Sequence, residues 1–263
     1  MIAAAGFRFV RMDLLWARTE RRGGEYDWSD YDELIAELAR HGIRAYFILD
    51  YSNPLYEGTV ITQNTDTGRR EDRSTASPRR PESIAAFALW AAAAATHFGS
   101  RHVVWEIWNE PNIEFWKPEP DVKQYIALAL ATCKAIRQAD PQATIVAPAT
   151  SSFPWEYLKK FLKSGVLEYL DGVSVHPYRS EESPPETAIV DYKRLRRLIE
   201  KSAPNEAKKK IPIISGEWAT RPTKRQASRL RNKRTLSRDN NCRTCFKRCR
   251  FQSGMTGRMT AKM

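Results

Sequence analysis

Apolar runs alternate with amphipathic stretches along most of the 263-residue chain. The runs are short, continuous and rich in β-branched and aromatic residues, which is typical of strands buried on both faces. The stretches between them space apolar residues three and four positions apart, as at Leu34, Ile35 and Leu38, and therefore predict helices that bury one side. The pattern predicts six strands, near residues 7–13, 43–51, 103–110, 144–149, 172–178 and 211–218.

Five helices are predicted in the intervals between these strands. They cover residues 30–41, 81–98, 121–138, 154–163 and 186–201, and Ser29 is the expected N-cap of the first. Continuous apolar strands linked by helices indicate an α/β protein whose parallel sheet is covered on both faces. Periodicity alone leaves a barrel and an open doubly wound sheet as alternatives. No glycine-rich phosphate loop follows a strand, which disfavours a nucleotide-binding sheet.

Two segments do not fit this regular alternation. Residues 52–80 are rich in Thr, Arg, Asp and Ser and are too long for an ordinary barrel connection, so a cleft wall, a lid and a disordered insertion all stay open. Residues 1–5 are predicted to be the last turn of a helix that Gly6 ends. The chain therefore begins inside an αβ unit, and we expect a first strand to be missing.

Polar residues with catalytic chemistry end two of the predicted strands. Asn109 and Glu110 end the run over 103–110, and Pro111 stops its hydrogen-bond ladder. Glu217 lies at the end of the last strand. Two such carboxyl groups suit glycoside cleavage, in which one protonates the leaving oxygen and the other attacks or stabilises the anomeric carbon. The alternative is that each glutamate is a solvated loop charge.

The segments Asn109-Glu110-Pro111 and Ile213–Trp218 resemble the two signature strands of the clan A retaining glycoside hydrolases, nearest to the cellulase-like family 5 and the xylosidase-like family 39. The resemblance covers residues 6–222. It implies an incomplete (β/α)8 TIM barrel in which strands two to seven are recognisable. It further implies that Glu110 is the acid/base and Glu217 the nucleophile. Asn109 fits the family asparagine that holds the sugar 2-hydroxyl group.

The resemblance also implies residues that orient the two carboxyl groups. In these families an early Arg and a Tyr after the sixth strand bind the nucleophile, while a nearby His contacts the sugar. Arg11, Tyr178 and His176 fit those places, and the last two share one face of their strand. A surface charge for Arg11 and simple packing for the His-Pro-Tyr turn are the alternatives. Strand alternation places Glu106 on one face with Trp108, and we expect a buried structural ion pair between Glu106 and Arg11.

Tryptophans provide candidate surfaces for sugar stacking, because an aromatic face suits the apolar face of a pyranose ring. Trp116 and Trp218, which follow the two candidate catalytic strands, are favoured over Trp16 and Trp155. The alternative for each is a place in the core. The resemblance implies neither a cofactor nor a metal ion.

The net positive charge is concentrated in the last 43 residues. Residues 221–263 contain 14 Lys and Arg and one Asp, so they carry +13, whereas the whole chain carries +12. The apolar periodicity ends after Pro222, and we expect a basic, disordered tail over residues 223–263 that follows a partial glycoside hydrolase barrel over residues 1–222. Cys242, Cys245 and Cys249 lie in this tail, but their spacing is imperfect and no fourth ligand follows, which disfavours a zinc site.

The tail also supports a hypothesis at the level of the codons. Residues 252–263 can be encoded so that a shift of two bases gives Ile-Trp-Tyr-Asp-Trp-Lys-Asp-Asp-Gly-Lys-Asp. That string resembles the eighth strand of the family with its Trp. We therefore hypothesise a frameshift near residue 225, which the DNA sequence would test.

The sequence thus predicts a glycosidase that hydrolyses O-glycosidic bonds in a β-linked oligo- or polysaccharide by a retaining mechanism. The alternative is a catalytically inactive, carbohydrate-binding remnant of such an enzyme. A carbohydrate is the expected partner, whereas nucleic-acid binding and a membrane segment are not expected. Oligomeric state and localisation stay open; an extracellular or periplasmic place would suit the family, although the chain contains no export signal.

Overall fold

The computed structural model describes residues 3–63, 71–180, 183–204, 210–218 and 220–221. The chain divides into two units, one with Met1–Arg179 and Ser183–Thr220 and one with Ser180–Glu182 and Arg221–Met263. The first unit holds all of the described helices and all described strands longer than two residues. In the second unit only Ser180 and Arg221 are described, so the predicted basic tail and its cysteines lie outside the described residues.

Ten strands and six α-helices occur in the described part of the chain. The strands are β1 (Phe9–Leu15), β2 (Arg44–Asp50), β3 (Thr59–Gln63), β4 (Glu71–Thr75), β5 (Val104–Ile107), β6 (Thr144–Ser151), β7 (Gly172–His176), β8 (Arg179–Ser180), β9 (Ile213–Ser215) and β10 (Thr220–Arg221). The helices are α1 (Trp16–Thr19), α2 (Ser29–Arg40), α3 (Pro81–Phe98), α4 (Val122–Ala139), α5 (Trp155–Leu162) and α6 (Ala188–Ser202).

Six of the strands form one parallel sheet in the order β1-β2-β5-β6-β7-β9. Apart from the short strands β3, β4 and β8, neighbours in this sheet are also consecutive in the chain. An unreversed order is that of a barrel wall, whereas a doubly wound sheet reverses its strand order at a switch point. The topology therefore selects the α/β barrel from the two alternatives that periodicity left open.

Both faces of this sheet are buried at its four central strands, β2, β5, β6 and β7, each face against a different apolar cluster. On the outer face, Phe47 of β2 and Trp105 of β5 pack against Phe98 of α3. The inner face carries a smaller cluster, made of Tyr46, Val104 and Val146 with the partly buried Ile214. Alternate residues of one strand thus serve opposite faces, which explains why the strands are continuous apolar runs.

The helices follow the predicted amphipathic stretches closely. Helix α3 has the predicted bounds, and α2, α4, α5 and α6 differ from the predicted bounds by two residues or fewer. The predicted N-cap is wrong by one position, because Trp28 occupies it and the Ser29 hydroxyl bonds to Asp27 instead. None of the helices in the described ranges has both the length and the apolarity needed to cross a bilayer.

The long connection after β2 contains a hairpin that the sequence analysis missed. Strands β3 and β4 pair antiparallel, with Ile61 opposite Arg73. The β-branched run at residues 59–62 favours this strand, but the surrounding polar composition hid it. Ser77 and Lys117 exchange two hydrogen bonds, of 2.8 and 3.1 Å, so the base of this connection is tied to the loop after β5. A role as a cleft wall stays a prediction.

Candidate active site

The polar side chains that the sequence analysis singled out converge at one edge of the sheet. Parallel strands end at the same edge, so residues near their carboxyl ends become neighbours even when they are far apart in the chain. The convergent residues are Arg11 on β1, Asn109 and Glu110 after β5, His176 at the end of β7, Tyr178 just beyond it, and Glu217 after β9.

The backbone turns sharply where β5 ends. Trp108 and Glu110 both have positive φ, 65° and 46°, a left-handed conformation that is costly for residues other than glycine and is often found at functional sites. This turn ends the strand alternation, so the predicted common face of Glu106 and Trp108 is wrong. The Trp108 ring instead packs in the outer cluster, 5.1 Å from Trp116 and 6.1 Å from Phe87 between ring centroids.

Glu110 and Glu217 approach each other across His176. The His176 Nδ1 atom lies 2.8 Å from Glu110 Oε1 and 4.0 Å from Glu217 Oε1. One carboxylate oxygen from each glutamate and one ring nitrogen of His176 all lie within 4.8 Å of one another. Glu110 and His176 are buried, whereas the Glu217 side chain is 29% exposed. The geometry therefore brings together the two carboxyl groups that the sequence placed on separate strands.

Arg11 connects these residues to one another. Its guanidinium group donates to Glu106 at 2.6 Å, to Glu217 at 2.5 Å and to Asn109 Oδ1 at 3.0 Å. The Nη2 atom that donates to Asn109 also lies 3.2 Å from His176 Nε2. Because a guanidinium N–H can only donate, the acceptor role falls to Nε2, and Nδ1–H of the neutral imidazole then donates to Glu110.

The surroundings of Glu217 keep its carboxyl group ionised. Partial burial acts to raise the pKa of Glu217. The hydrogen bond from Tyr178, an electrostatic contribution from His176, and the charge and hydrogen bond of Arg11 outweigh it, so the pKa is lowered. Burial and the bond to Glu217 raise the pKa of the Tyr178 hydroxyl group, which therefore remains a donor. An ionised carboxylate held by two donors has the character of a nucleophile.

Glu106 lies beneath this pair as a structural ion-pair partner. It is fully buried and accepts hydrogen bonds from Arg11 and, at 2.7 Å, from the Tyr46 hydroxyl group. The predicted ion pair between Glu106 and Arg11 is thus confirmed. Burial would lower the pKa of Arg11, but the charges of Glu106 and Glu217 raise it, so the guanidinium stays charged.

Among the described residues, the side chains that could together ligate a metal ion are those of Glu110, His176 and Glu217. A cation at this place would have to displace the proton that His176 shares with Glu110. It would also lie close to the positive charge of Arg11, because the Arg11 guanidinium is 3.2 Å from Nε2, the other ring nitrogen of His176. The present hydrogen bonds therefore suit proton transfer better than metal ligation.

Two of the four candidate tryptophans are wrong as sugar platforms. Trp16 and Trp116 are fully buried, and Trp116 bonds through its indole N–H to Gln124 at 3.2 Å. Trp155 packs against the Arg194 guanidinium, 4.0 Å from its ring centroid. Trp218, directly after the candidate nucleophile, is 43% exposed. A tryptophan with no exposed surface cannot stack on a sugar, so Trp218 alone of the two favoured residues stays a candidate.

Phe115 is an aromatic residue near the site that the sequence analysis missed. It is 38% exposed and stacks on Tyr51, with ring centroids 6.0 Å apart and planes inclined by 23°. The Tyr51 hydroxyl group in turn accepts a bond of 3.1 Å from Asn109. Phe115 and Trp116 are adjacent in a turn without periodicity, so no sequence signal distinguishes the exposed ring from the buried one.

A cavity of about 500 Å³ is lined by residues of α6 and β9 such as Tyr192, Arg196 and Ile213. It contains none of the convergent acidic groups. The candidate active site at the sheet edge is therefore identified by its side-chain chemistry. Cavity size would point to a different place.

A parallel α/β sheet with two glutamates close together at its carboxyl edge is the arrangement expected of a glycoside hydrolase. The family described as Cellulase (glycosyl hydrolase family 5) matches residues 1–246, a range longer at both ends than the one expected from the motifs. The chain belongs to this family.

Similar proteins include several xylosidases. A β-xylosidase of Geobacillus stearothermophilus is 29% identical over 135 residues, which are 42% of this chain and 27% of that protein. The crystal structure of a monomeric β-xylosidase from Caulobacter crescentus has a TM-score of 0.62 and 25% identity, covering 84% of this chain and 48% of the other. A family 39 enzyme from Xanthomonas axonopodis pv. citri has a TM-score of 0.63 and 23% identity, covering 84% of this chain and 46% of the other. The chain thus spans less than half the length of each of these relatives.

Proposed function

We propose that this chain carries the active site of a retaining β-glycosidase. The observation that carries the proposal is the presence of one oxygen atom each from Glu110 and Glu217 within a 4.8 Å cluster. Retaining enzymes hold their two carboxyl groups about 5–5.5 Å apart, whereas inverting enzymes separate them by about 6.5–9.5 Å to admit a water molecule. The spacing therefore supports double displacement.

In the first step Glu217 attacks the anomeric carbon. A bond forms between that carbon and a Glu217 oxygen, the glycosidic C–O bond breaks, and the proton of Glu110 passes to the leaving oxygen. In the second step Glu110 takes a proton from water, the water oxygen bonds to the anomeric carbon, and Glu217 departs as a carboxylate. The environment of Glu217 supports its role, because Arg11 and Tyr178 hold it ionised. Glu110, on the other side of His176, is then the carboxyl group left to act as acid and base.

His176 determines which oxygen of Glu110 can hold the catalytic proton. Glu110 Oε1 accepts from His176 Nδ1–H at 2.8 Å, so the proton of the acid form resides on Oε2. Arg11 keeps His176 in this tautomer through Nε2. The three residues together would aim one protonated oxygen at the leaving group.

The sugar would lie between the carboxyl pair and the exposed aromatic rings. Asn109 is held at both ends, by Arg11 and Tyr51, in a place suited to the sugar 2-hydroxyl group. Phe115, which follows Glu110 in the chain, and Trp218, directly after Glu217, are both partly exposed. Since similar proteins are named β-xylosidases, a β-xyloside is the first substrate to test.

The decisive experiment compares carboxyl variants on an aryl β-xyloside. Glu110→Ala and Glu217→Ala should each lower kcat/KM by roughly 10²–10⁴-fold. Glu156→Ala, an exposed glutamate on α5, is the matched control and should leave the rate unchanged. Added azide should restore turnover in both active-site variants and give glycosyl azides of opposite anomeric configuration, β from Glu110→Ala and α from Glu217→Ala. The same azide anomer from both variants would refute the assignment of roles.

A further inference from the structure

Asp50, the last residue of β2, differs from the other buried carboxyl groups of the described chain. Its side chain is fully buried, and neither of its carboxyl oxygens has a hydrogen-bond partner among the described residues. By contrast, Glu20 accepts from the Tyr56 hydroxyl at 2.5 Å, and Glu57 accepts from the Ser83 hydroxyl at 2.6 Å. Buried carboxylates are normally paired in this way, because an isolated buried charge is very costly.

The groups around Asp50 do not offer it a counter-ion of its own. Asp13 of β1 and Glu106 of β5 add negative charge, and the hydroxyl groups of Tyr31 and Tyr51 are the neighbouring neutral titratable groups. Among the described residues, the cation that acts on Asp50 is Arg11, whose N–H groups already bond to Glu106, Glu217 and Asn109. Burial, and then the charge of Asp13, raise the pKa of Asp50 well above its ordinary value, and Arg11 only partly opposes them.

We propose that Asp50 is a positioning residue that the active protein holds as a neutral acid, and that its neutrality keeps Arg11 bound to Glu217. If Asp50 were ionised, four carboxylates would compete for one guanidinium group. Arg11 would then be drawn toward β2 and would loosen its bond to the candidate nucleophile. This functional part rests on the proposed glycosidase activity, whereas the protonation state does not.

The first experiment measures protonation without any reference to activity. Infrared spectra of the full chain labelled with carboxyl-¹³C aspartate should show the carbonyl band of a protonated aspartic acid at neutral pH. The band should vanish in Asp50→Asn, because Asn has the shape of the neutral acid but no carboxyl group. It should persist in the matched variant Asp13→Asn, which removes the exposed acid nearby. Absence of the band in the wild type, or its loss only in Asp13→Asn, would overturn the proposal.

The second experiment measures the consequence for catalysis. Asp50→Asn should keep kcat/KM within about threefold of the wild type at neutral pH, since the amide copies the neutral acid. A substrate with a strongly activated leaving group, used with Glu110→Ala, removes the need for the general acid. In that background the chain with Asp50 should lose activity at alkaline pH and the chain with Asn should not. A loss of more than about a hundredfold in Asp50→Asn at neutral pH, or identical alkaline profiles, would overturn the positioning role.

Discussion

Removing the Tyr178 hydroxyl group tests how the protein keeps its candidate nucleophile ionised. The hydroxyl donates to Glu217 Oε2 and is the strongest of the interactions that hold the pKa of Glu217 down. Tyr178→Phe retains the ring, which packs 5.9 Å from His176, and deletes only the donor. Without it the pKa of Glu217 rises, so the acidic limb of kcat/KM should move to higher pH.

The size of the effect follows from the strength of one hydrogen bond to a charged group. Such bonds contribute about 1.5–3 kcal/mol, and the partial exposure of Glu217 places this one at the lower end. About 1.5 kcal/mol corresponds to roughly a tenfold loss of ionised nucleophile at pH values below the limb. Above the limb the same variant should lose less, because Glu217 is then ionised in both proteins.

The assay is a pH profile of aryl β-xyloside hydrolysis for the wild type, Tyr178→Phe and the control Tyr192→Phe on α6. A second readout does not need activity. A carboxyl group whose pKa is lowered on folding adds stability above its unfolded pKa and loses it as the pH falls through the folded value. The wild type should therefore lose more unfolding free energy on acidification than Tyr178→Phe. An unmoved acidic limb together with equal losses of stability would refute the reasoning.

Four further results are expected. Glu106→Gln should lower the unfolding free energy by about 3 kcal/mol in urea titrations, because it breaks a buried ion pair; an unchanged midpoint would contradict the structural role. Phe115→Ala should raise KM for an aryl β-xyloside more than it lowers kcat, and the reverse would remove it from the sugar site. Trp116→Ala should cost about 3–5 kcal/mol of stability, whereas Trp218→Ala should cost under about 1 kcal/mol and raise KM. Cys133, whose pKa burial raises to about 12, should resist iodoacetamide until the chain is unfolded, as peptide mass spectrometry would show.

Local pattern was a sufficient guide to most of the secondary structure. Helix α3 matches its predicted bounds because Pro81 opens it and an apolar face continues to Phe98. The hairpin β3–β4 was missed because its β-branched residues are embedded in a polar connection, where composition suggests a loop. Two-stranded antiparallel pairs need little apolar surface, so their signal is weak.

The candidate site was predictable as a set of residues and not as a geometry. Residue types at strand ends indicated Glu110 and Glu217, since carboxyl ends of parallel strands share an edge. The family resemblance added Arg11. The path of hydrogen bonds from Arg11 through His176 to Glu110 depends on side-chain rotamers and distances between strands far apart in the chain. No sequence spacing contains those distances.

The sequence by itself determined the alternation of strands and helices, the buried character of the sheet and the residue types at its edge. These follow from periodicity, which is a local property of the backbone. Only the tertiary structure decided that Phe115 is exposed while Trp116 is buried, and that Trp108 leaves the inner face. It also decided that Asp50 lacks a hydrogen-bond partner within the described ranges. The physical reason is that exposure and pairing at a strand end are set by the turn that follows and by side chains from neighbouring strands, which no run of consecutive residues specifies.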